Sequence, residues 1–186
     1  MKRILKILGV MIGVAACVGI AVLLYYNVIA PLKIQGNYNV VIEAYDEISM
    51  DITKTLFEEA KDDEDWIRFY DELPSISQDD YTSVIIYANL KNRSFIRQDG
   101  IFANLKDIPK EERVLCQESR VRMGYMHKFE EDEIRLFYFT MYTKDMTREE
   151  IKEYIQNLKL DVYYGSDIRR DNHMTISLNN VNWEEE

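Results

Sequence analysis

Residues 7–30 read ILGVMIGVAACVGIAVLLYYNVIA, and none of these 24 side chains is charged. As a helix rising about 1.5 Å per residue the stretch is about 36 Å long, against a hydrocarbon core of about 30 Å. It therefore predicts a transmembrane helix with room for some tilt. Tyr25, Tyr26 and Asn27 suit the headgroup level at its far end, where a ring with an apolar body and a wet tip is stable. Pro31 then discourages further helix. Lys2, Arg3 and Lys6 precede the apolar run, and positive flanks are retained in the cytoplasm. The expected topology puts residues 1–6 inside and the chain from residue 33 onward outside, at the plasma membrane.

Two processing alternatives compete with a retained anchor. A cleaved signal peptide has an apolar region of about 7–15 residues, shorter than this one, and Pro31 would directly follow a cut after Val28-Ile29-Ala30. Val14-Ala15-Ala16-Cys17 resembles a bacterial lipobox and would make Cys17 the site of lipidation, although Val18 to Leu24 continues apolar where a polar tether is usual. Gly9, Gly13, Cys17 and Ala21 recur every four residues along one side of the helix. They begin with a Gly-x-x-x-Gly pair that lets two backbones approach closely, and so predict a helix dimer; frequent small residues in membrane helices are the plainer explanation.

Outside this run the chain is a different object. The whole has 186 residues, 47% hydrophobic and 30% charged, with a formal charge of −10; the first 36 residues hold four bases and no acid, so the rest carries −14. That apolar content excludes a disordered chain, and Cys17 and Cys116 cannot form a disulfide framework within the polar part. Residues 31–37 are read as a short tether, 38–182 as one extracytoplasmic domain, and 183–186 as a frayed acidic tail.

Alternation identifies strands. Val84, Ile86, Ala88 and Leu90 share one face of segment 81–90, and Ile134, Leu136 and Tyr138 one face of 133–142. Both segments carry apolar groups on the opposite face as well, which predicts central strands covered on both sides. Leu158, Leu160, Val162 and Tyr164, and then Met174, Ile176 and Leu178, alternate with polar neighbours as half-buried strands do. Segments 38–45, 96–105 and 112–118 are further strand candidates, and 119–132 reads as a loop. Thr147 and Glu150 form a capping box ahead of Ile151, Tyr154, Ile155 and Leu158, predicting a helix over 147–158. One or two short helices are expected near 53–73, with Asp62 to Asp65 at a helix N-terminus, while Ile48, Met50 and Ile52 leave open a longer first strand.

This pattern fits an antiparallel sandwich better than a doubly wound sheet, which needs helices between most strands. The stretch Tyr81-Thr-Ser-Val-Ile-Ile-Tyr-Ala-Asn-Leu-Lys-Asn-Arg-Ser-Phe95 resembles the strand and following turn of bacterial immunoglobulin-like or fibronectin-like extracytoplasmic domains, over 15 of the 186 residues. The inserted helix at 147–158 and the lack of an intersheet disulfide depart from antibody-type members. The resemblance implies a binding or scaffolding module and carries over no catalytic residue.

Candidate chemistry is sparse. His127 and His173 are the two histidines, and neither His-Glu-x-x-His nor a paired Cys-x-x-Cys occurs, so no zinc site is assigned. The acidic runs 62–65 and 130–133 lack the alternating ligands and glycine of a calcium loop and read as solvated charge. Gly-x-Ser-x-Gly and phosphate-binding glycine loops are absent, and Cys116, within Val114-Leu115-Cys116, reads as a small hydrophobe. A domain of charge −14 repels nucleic acid, although Arg120, Arg122 and Lys128, or Arg169 and Arg170, offer basic groups to an anionic partner. Asn92-Arg93-Ser94 matches a glycosylation acceptor. No catalytic, cofactor-binding or metal-ligating residue is assigned. The expectation is a non-catalytic module, anchored in lipid through residues 7–30, that binds a protein or envelope partner. The alternatives are an envelope hydrolase or transferase with an unrecognised site, a lipoprotein anchored at Cys17, and a structural role in which the helix recruits a membrane partner.

Overall fold

The computed structural model describes residues 2–59, 66–68, 70, 72–106, 113–118, 125–165 and 172–184. In chain order its elements are helix α1 (Lys2–Leu24), a π-helical turn (Tyr25–Ile29), β1 (Leu32–Ala44), α2 (Glu47–Glu59) and β2 (Trp66–Arg68). A single 3-10 turn (Gln78–Asp80) then leads into β3 (Tyr81–Asn92), β4 (Gln98–Lys106), β5 (Val114–Glu118), β6 (Tyr125–Met126) and β7 (Glu131–Tyr142). Helix α3 (Arg148–Gln156) follows, and β8 (Lys159–Gly165), β9 (Asn172–Ser177) and β10 (Val181–Glu184) complete the set. An N-terminal apolar helix and a mostly-β domain are thus both present.

Strands β3 and β7 pair antiparallel at the centre of a six-stranded sheet, ordered β10-β1-β3-β7-β5-β2. A second sheet, ordered β6-β4-β8-β9, is antiparallel throughout. The inward residues of the two sheets meet in one core. Val40, Val84, Ile86, Phe137 and Phe139 come from the larger sheet, Ile101, Leu160, Val162 and Ile176 from the smaller, and Ile151 and Ile155 from α3. Each such buried side chain contributes about 1.5–3 kcal/mol relative to exposure. The second face of β3 and β7 is covered at one end by α2, where Met50 and Phe57 pack with Tyr45, Tyr81 and Leu115, and the Tyr45 hydroxyl hydrogen-bonds the Thr53 hydroxyl. Central strands with two covered faces are what the apolar content of 81–90 and 133–142 predicts.

Helix α3 forms as its sequence dictates. The Thr147 hydroxyl accepts from the Glu150 amide at 3.3 Å, and the Glu150 carboxylate accepts from the Thr147 amide at 2.7 Å. Ile151, Ile155 and the following Leu158 are buried.

Elsewhere the structure differs from the sequence reading. In β7 the face shared by Ile134 continues through Phe137 and Phe139, not through Tyr138, which is 40% exposed. A bulge opposite Ile86/Tyr87 inserts Leu136 as an extra residue and shifts the alternation by one. Residues 31–37 do not act as a separate tether: β1 begins at Leu32, a buried residue paired with Asn92. It continues through a second bulge between Gln35 and Asn39, where Gly36 takes φ +74°, a conformation that costs a residue with a Cβ. Nor do Trp183 and Glu184 fray. They belong to β10, which runs parallel to β1 with Tyr38 opposite Val181, and the Lys152 ammonium sits 5.5 Å from the Trp183 ring centre. Helix α2 starts earlier than the expected helices near 53–73, because the Asp46 carboxylate accepts from the Ser49 amide at 2.6 Å and caps it; that helix also replaces the longer first strand suggested by Ile48, Met50 and Ile52. Residues 66–68, placed in a helix by their spacing, form a strand paired with β5. The loop read over 119–132 contains β6 and the first residues of β7.

Candidate interface at the helix–domain junction

Among the described residues one helix is long and apolar enough to cross a membrane. Its apolar span runs over 22 residues from Lys6 to Asn27 with mean hydropathy 2.8, and it is exposed along its length instead of packing on the core. α-Helical bonding gives way at Tyr25 to one π turn, closed by the Ala30 amide donating to the Tyr25 carbonyl at 2.8 Å. Such turns are rare and occur where a helix is locally re-aimed. Ala30 leaves the helical region as the residue before Pro31 must.

Asn27 is the hinge point of the chemistry here. Its side-chain amide donates to the Leu23 carbonyl at 2.7 Å, while its oxygen accepts from the Ser94 hydroxyl at 2.7 Å and the Phe95 amide at 3.0 Å. Arg93 adds a second tie: its amide donates to the Pro31 carbonyl at 2.7 Å, its guanidinium donates to the Ala30 carbonyl at 2.7 Å, and the same group lies 4.8 Å from the Tyr26 ring centre. Asn92 holds this turn from beneath. Fully buried, it donates to the carbonyls of Ile96 and His127, both at 2.9 Å, and accepts from the Ser94 amide at 2.9 Å. Helix and domain are therefore joined by direct polar contacts on both sides of Pro31, with no run of free chain between them.

Around this joint lies an exposed aromatic rim. Phe95 is 52% and Phe129 60% exposed, with ring centres 6.2 Å apart, and the Phe129 amide donates to the Ser94 carbonyl at 3.2 Å. Tyr125 is exposed too, with the Arg97 guanidinium 4.0 Å from its ring centre and His127 edge-on at 4.9 Å. The chain turns sharply here: Phe129 has φ +57°. A second aromatic group lies on the outer face of the four-stranded sheet, where Phe102, Tyr163 and His173 stack across three strands at 4.9 and 6.0 Å.

The residues singled out in the sequence are distributed as follows. Gly9, Gly13, Cys17 and Ala21 lie exposed on α1, and a Cβ added at either glycine would meet nothing within 4 Å. Asn92 of the Asn-Arg-Ser triplet is no glycosylation acceptor in the folded chain, because its amide nitrogen is buried against backbone carbonyls. His127 and His173 stand against Tyr125 and Tyr163, on different strands of the small sheet's neighbourhood, so the fold does not bring the two histidines into one cluster. Among the described residues no group of three His, Cys, Asp or Glu side chains could hold a metal ion. The run 130–133 makes contacts within its own domain: Glu130 accepts from the His127 amide, Glu131 pairs with Lys91 at 3.0 Å, and Glu133 accepts from Asn39 at 2.8 Å. Hydrogen bonds from Lys91, then Gln35, hold the Glu131 carboxyl below its ordinary range. Cys116 contributes its backbone to β5. Run 62–65, Arg120, Arg122, Arg169 and Arg170 lie outside the described residues; Lys128 is exposed beside Phe129. Sequence reasoning passed over Phe95 and Phe129 because both fall in turns without periodicity; their one signal is a large apolar residue where turn chemistry favours small polar ones.

Comparison with protein-family models, with curated proteins and with solved structures gives no match for this chain.

Proposed function

We propose that this protein is a single-pass membrane protein with residues 1–6 in the cytoplasm and an extracytoplasmic domain that binds a protein or envelope partner without catalysing a reaction. The observation that carries the reading is the apolar span Lys6–Asn27, exposed along the helix and, among the described residues, bonded to the domain at its C-terminal end. A core helix of a soluble protein would bury one stripe against its neighbours; this one leaves an apolar surface on all sides, which lipid satisfies. Lys2, Arg3 and Lys6 on the near side give the orientation. The two sheets sharing one core support a sandwich of the immunoglobulin-like kind, although β1 and β10 run parallel and α3 is inserted between β7 and β8. The ladder Phe102, Tyr163 and His173, half-buried at its two aromatic rings and exposed at His173 on the outer face of the small sheet, is the surface offered to the partner.

The test is fractionation followed by proteolysis. Membranes carrying the full chain are washed with alkaline carbonate, and protease is added to intact and to permeabilised cells. The chain is expected to stay in the membrane pellet and to lose its domain to protease in intact cells; a chain found free in the cytosol, or a domain cut only after permeabilisation, overturns the reading. Intact mass of the purified protein reports cleavage before residue 31 or lipid on Cys17. For the partner, Tyr163→Ala is expected to reduce recovery of a specific membrane protein in pull-downs from the native membrane, with circular dichroism showing the fold retained.

A further inference from the structure

We infer that Phe95 and Phe129, with Tyr125 beside them, form a wedge that dips into the headgroup layer of the bilayer crossed by α1 and so seats the domain directly on lipid. The inference rests on the membrane-spanning reading of that helix and adds a second contact to it. Depth fixes the argument. From Ile7 to Asn27 an α-helix rises about 30 Å, the thickness of the hydrocarbon core, so Asn27 stands at the far boundary of the lipid tails. The Phe95 amide is 3.0 Å from the Asn27 side-chain oxygen, and the Phe129 amide is bonded to the neighbouring Ser94 carbonyl, so both backbones lie within a few ångströms of that boundary. Rings that are 52% and 60% exposed there cannot be far from lipid, and the Tyr25 and Tyr26 rings occupy the same level on the helix itself. Aromatic side chains are stable at this depth because the ring displaces water from the acyl boundary while polar neighbours stay hydrated. The joint leaves no slack for the domain to lift away, since Asn27, Ala30 and Pro31 are all hydrogen-bonded to the 93–95 turn.

The test uses the full chain reconstituted in phosphatidylcholine vesicles, with the photoreactive p-benzoylphenylalanine at one position at a time. Position 95 and position 129 replace one aromatic ring by another. Position 76 is the control for mere exposure: Ile76 is apolar and 86% exposed, but it precedes Tyr81, at the opposite end of β3 from Asn92, about 36 Å away. Position 14, in mid-helix, controls for insertion. After irradiation, lipid adducts at positions 95 and 129 are expected several-fold above those at position 76 and approaching those at position 14. Adducts at 14 with none at 95 or 129 beyond the level at 76 would overturn the wedge and leave the anchor standing. No adducts at 14 would overturn both, and crosslinks from 95 and 129 to a second protein chain would assign the rim to a protein contact instead.

Discussion

Asn92 shows how much one side chain can hold in this fold. Its amide bonds the Ile96 and His127 carbonyls from a fully buried position, and its oxygen accepts from the buried Ser94 amide, so Asn92→Ala removes these bonds, strips that amide of its acceptor and is expected to cost about 1–3 kcal/mol, read as a lower denaturation midpoint. Thr147→Ala removes the hydroxyl that accepts from the Glu150 amide and should cost about 1 kcal/mol in the same measurement, with circular dichroism showing the fold retained. Tyr81 governs the alkaline side. Its hydroxyl donates to the Ser75 carbonyl at 2.6 Å, and burial, reinforced by Tyr142, Asp80 and Tyr45, pushes its pKa up to about 12. A raised value favours the neutral phenol in the folded state. Its contribution is therefore full below the ordinary value of 10.0 and is lost as pH rises through about 12, a decline that unfolding midpoints measured across this range should follow.

At the scale of elements, glycine and bulges set the strand phases. Gly36→Ala places a Cβ at φ +74° in the β1 bulge, and the strain is expected to cost about 1–2 kcal/mol although the space around it is open. Periodicity made β3, β8 and β9 legible, because Val84 to Leu90 and Leu160 to Tyr164 alternate without interruption. It failed in β7, where Leu136 is an extra residue and an isolated sequence carries no sign of the partner strand that makes it so. Capping residues made α3 legible through Thr147 and Glu150, yet Asp46 ahead of α2 went unread because the alternation of Ile48, Met50 and Ile52 imitated a strand. β10 escaped for a related reason: four residues that end on Glu184 and are followed by two more acids look like a tail, and a parallel partner more than a hundred residues away is invisible to local pattern. At the junction the same limit applied. Asn92, Arg93 and Ser94 were legible as a turn, but their bonds to Asn27, Ala30 and Pro31 depend on where the helix ends in space.

Across the whole molecule, acidity is the expected weak side. Hydrogen bonds from Ser49 hold Asp46 below its ordinary 3.8, the Lys91 bond holds Glu131 below 4.5, and the Thr147 amide does the same for Glu150. Folded values below unfolded ones mean that this stabilisation is complete above the ordinary values and disappears as pH falls through the lowered ones. The thermal midpoint should therefore hold from neutrality to about pH 5 and fall below about pH 4. The pairing of β10 with β1 has a consequence for biogenesis. Asn182 and Asn39 are 143 residues apart in sequence and hydrogen-bonded in the sheet, so a chain synthesised from its N-terminus cannot close this edge until residue 184 has been added. Until then the edge of β1 from Tyr38 to Val41 stands open, without the strand that pairs with it in the finished sheet.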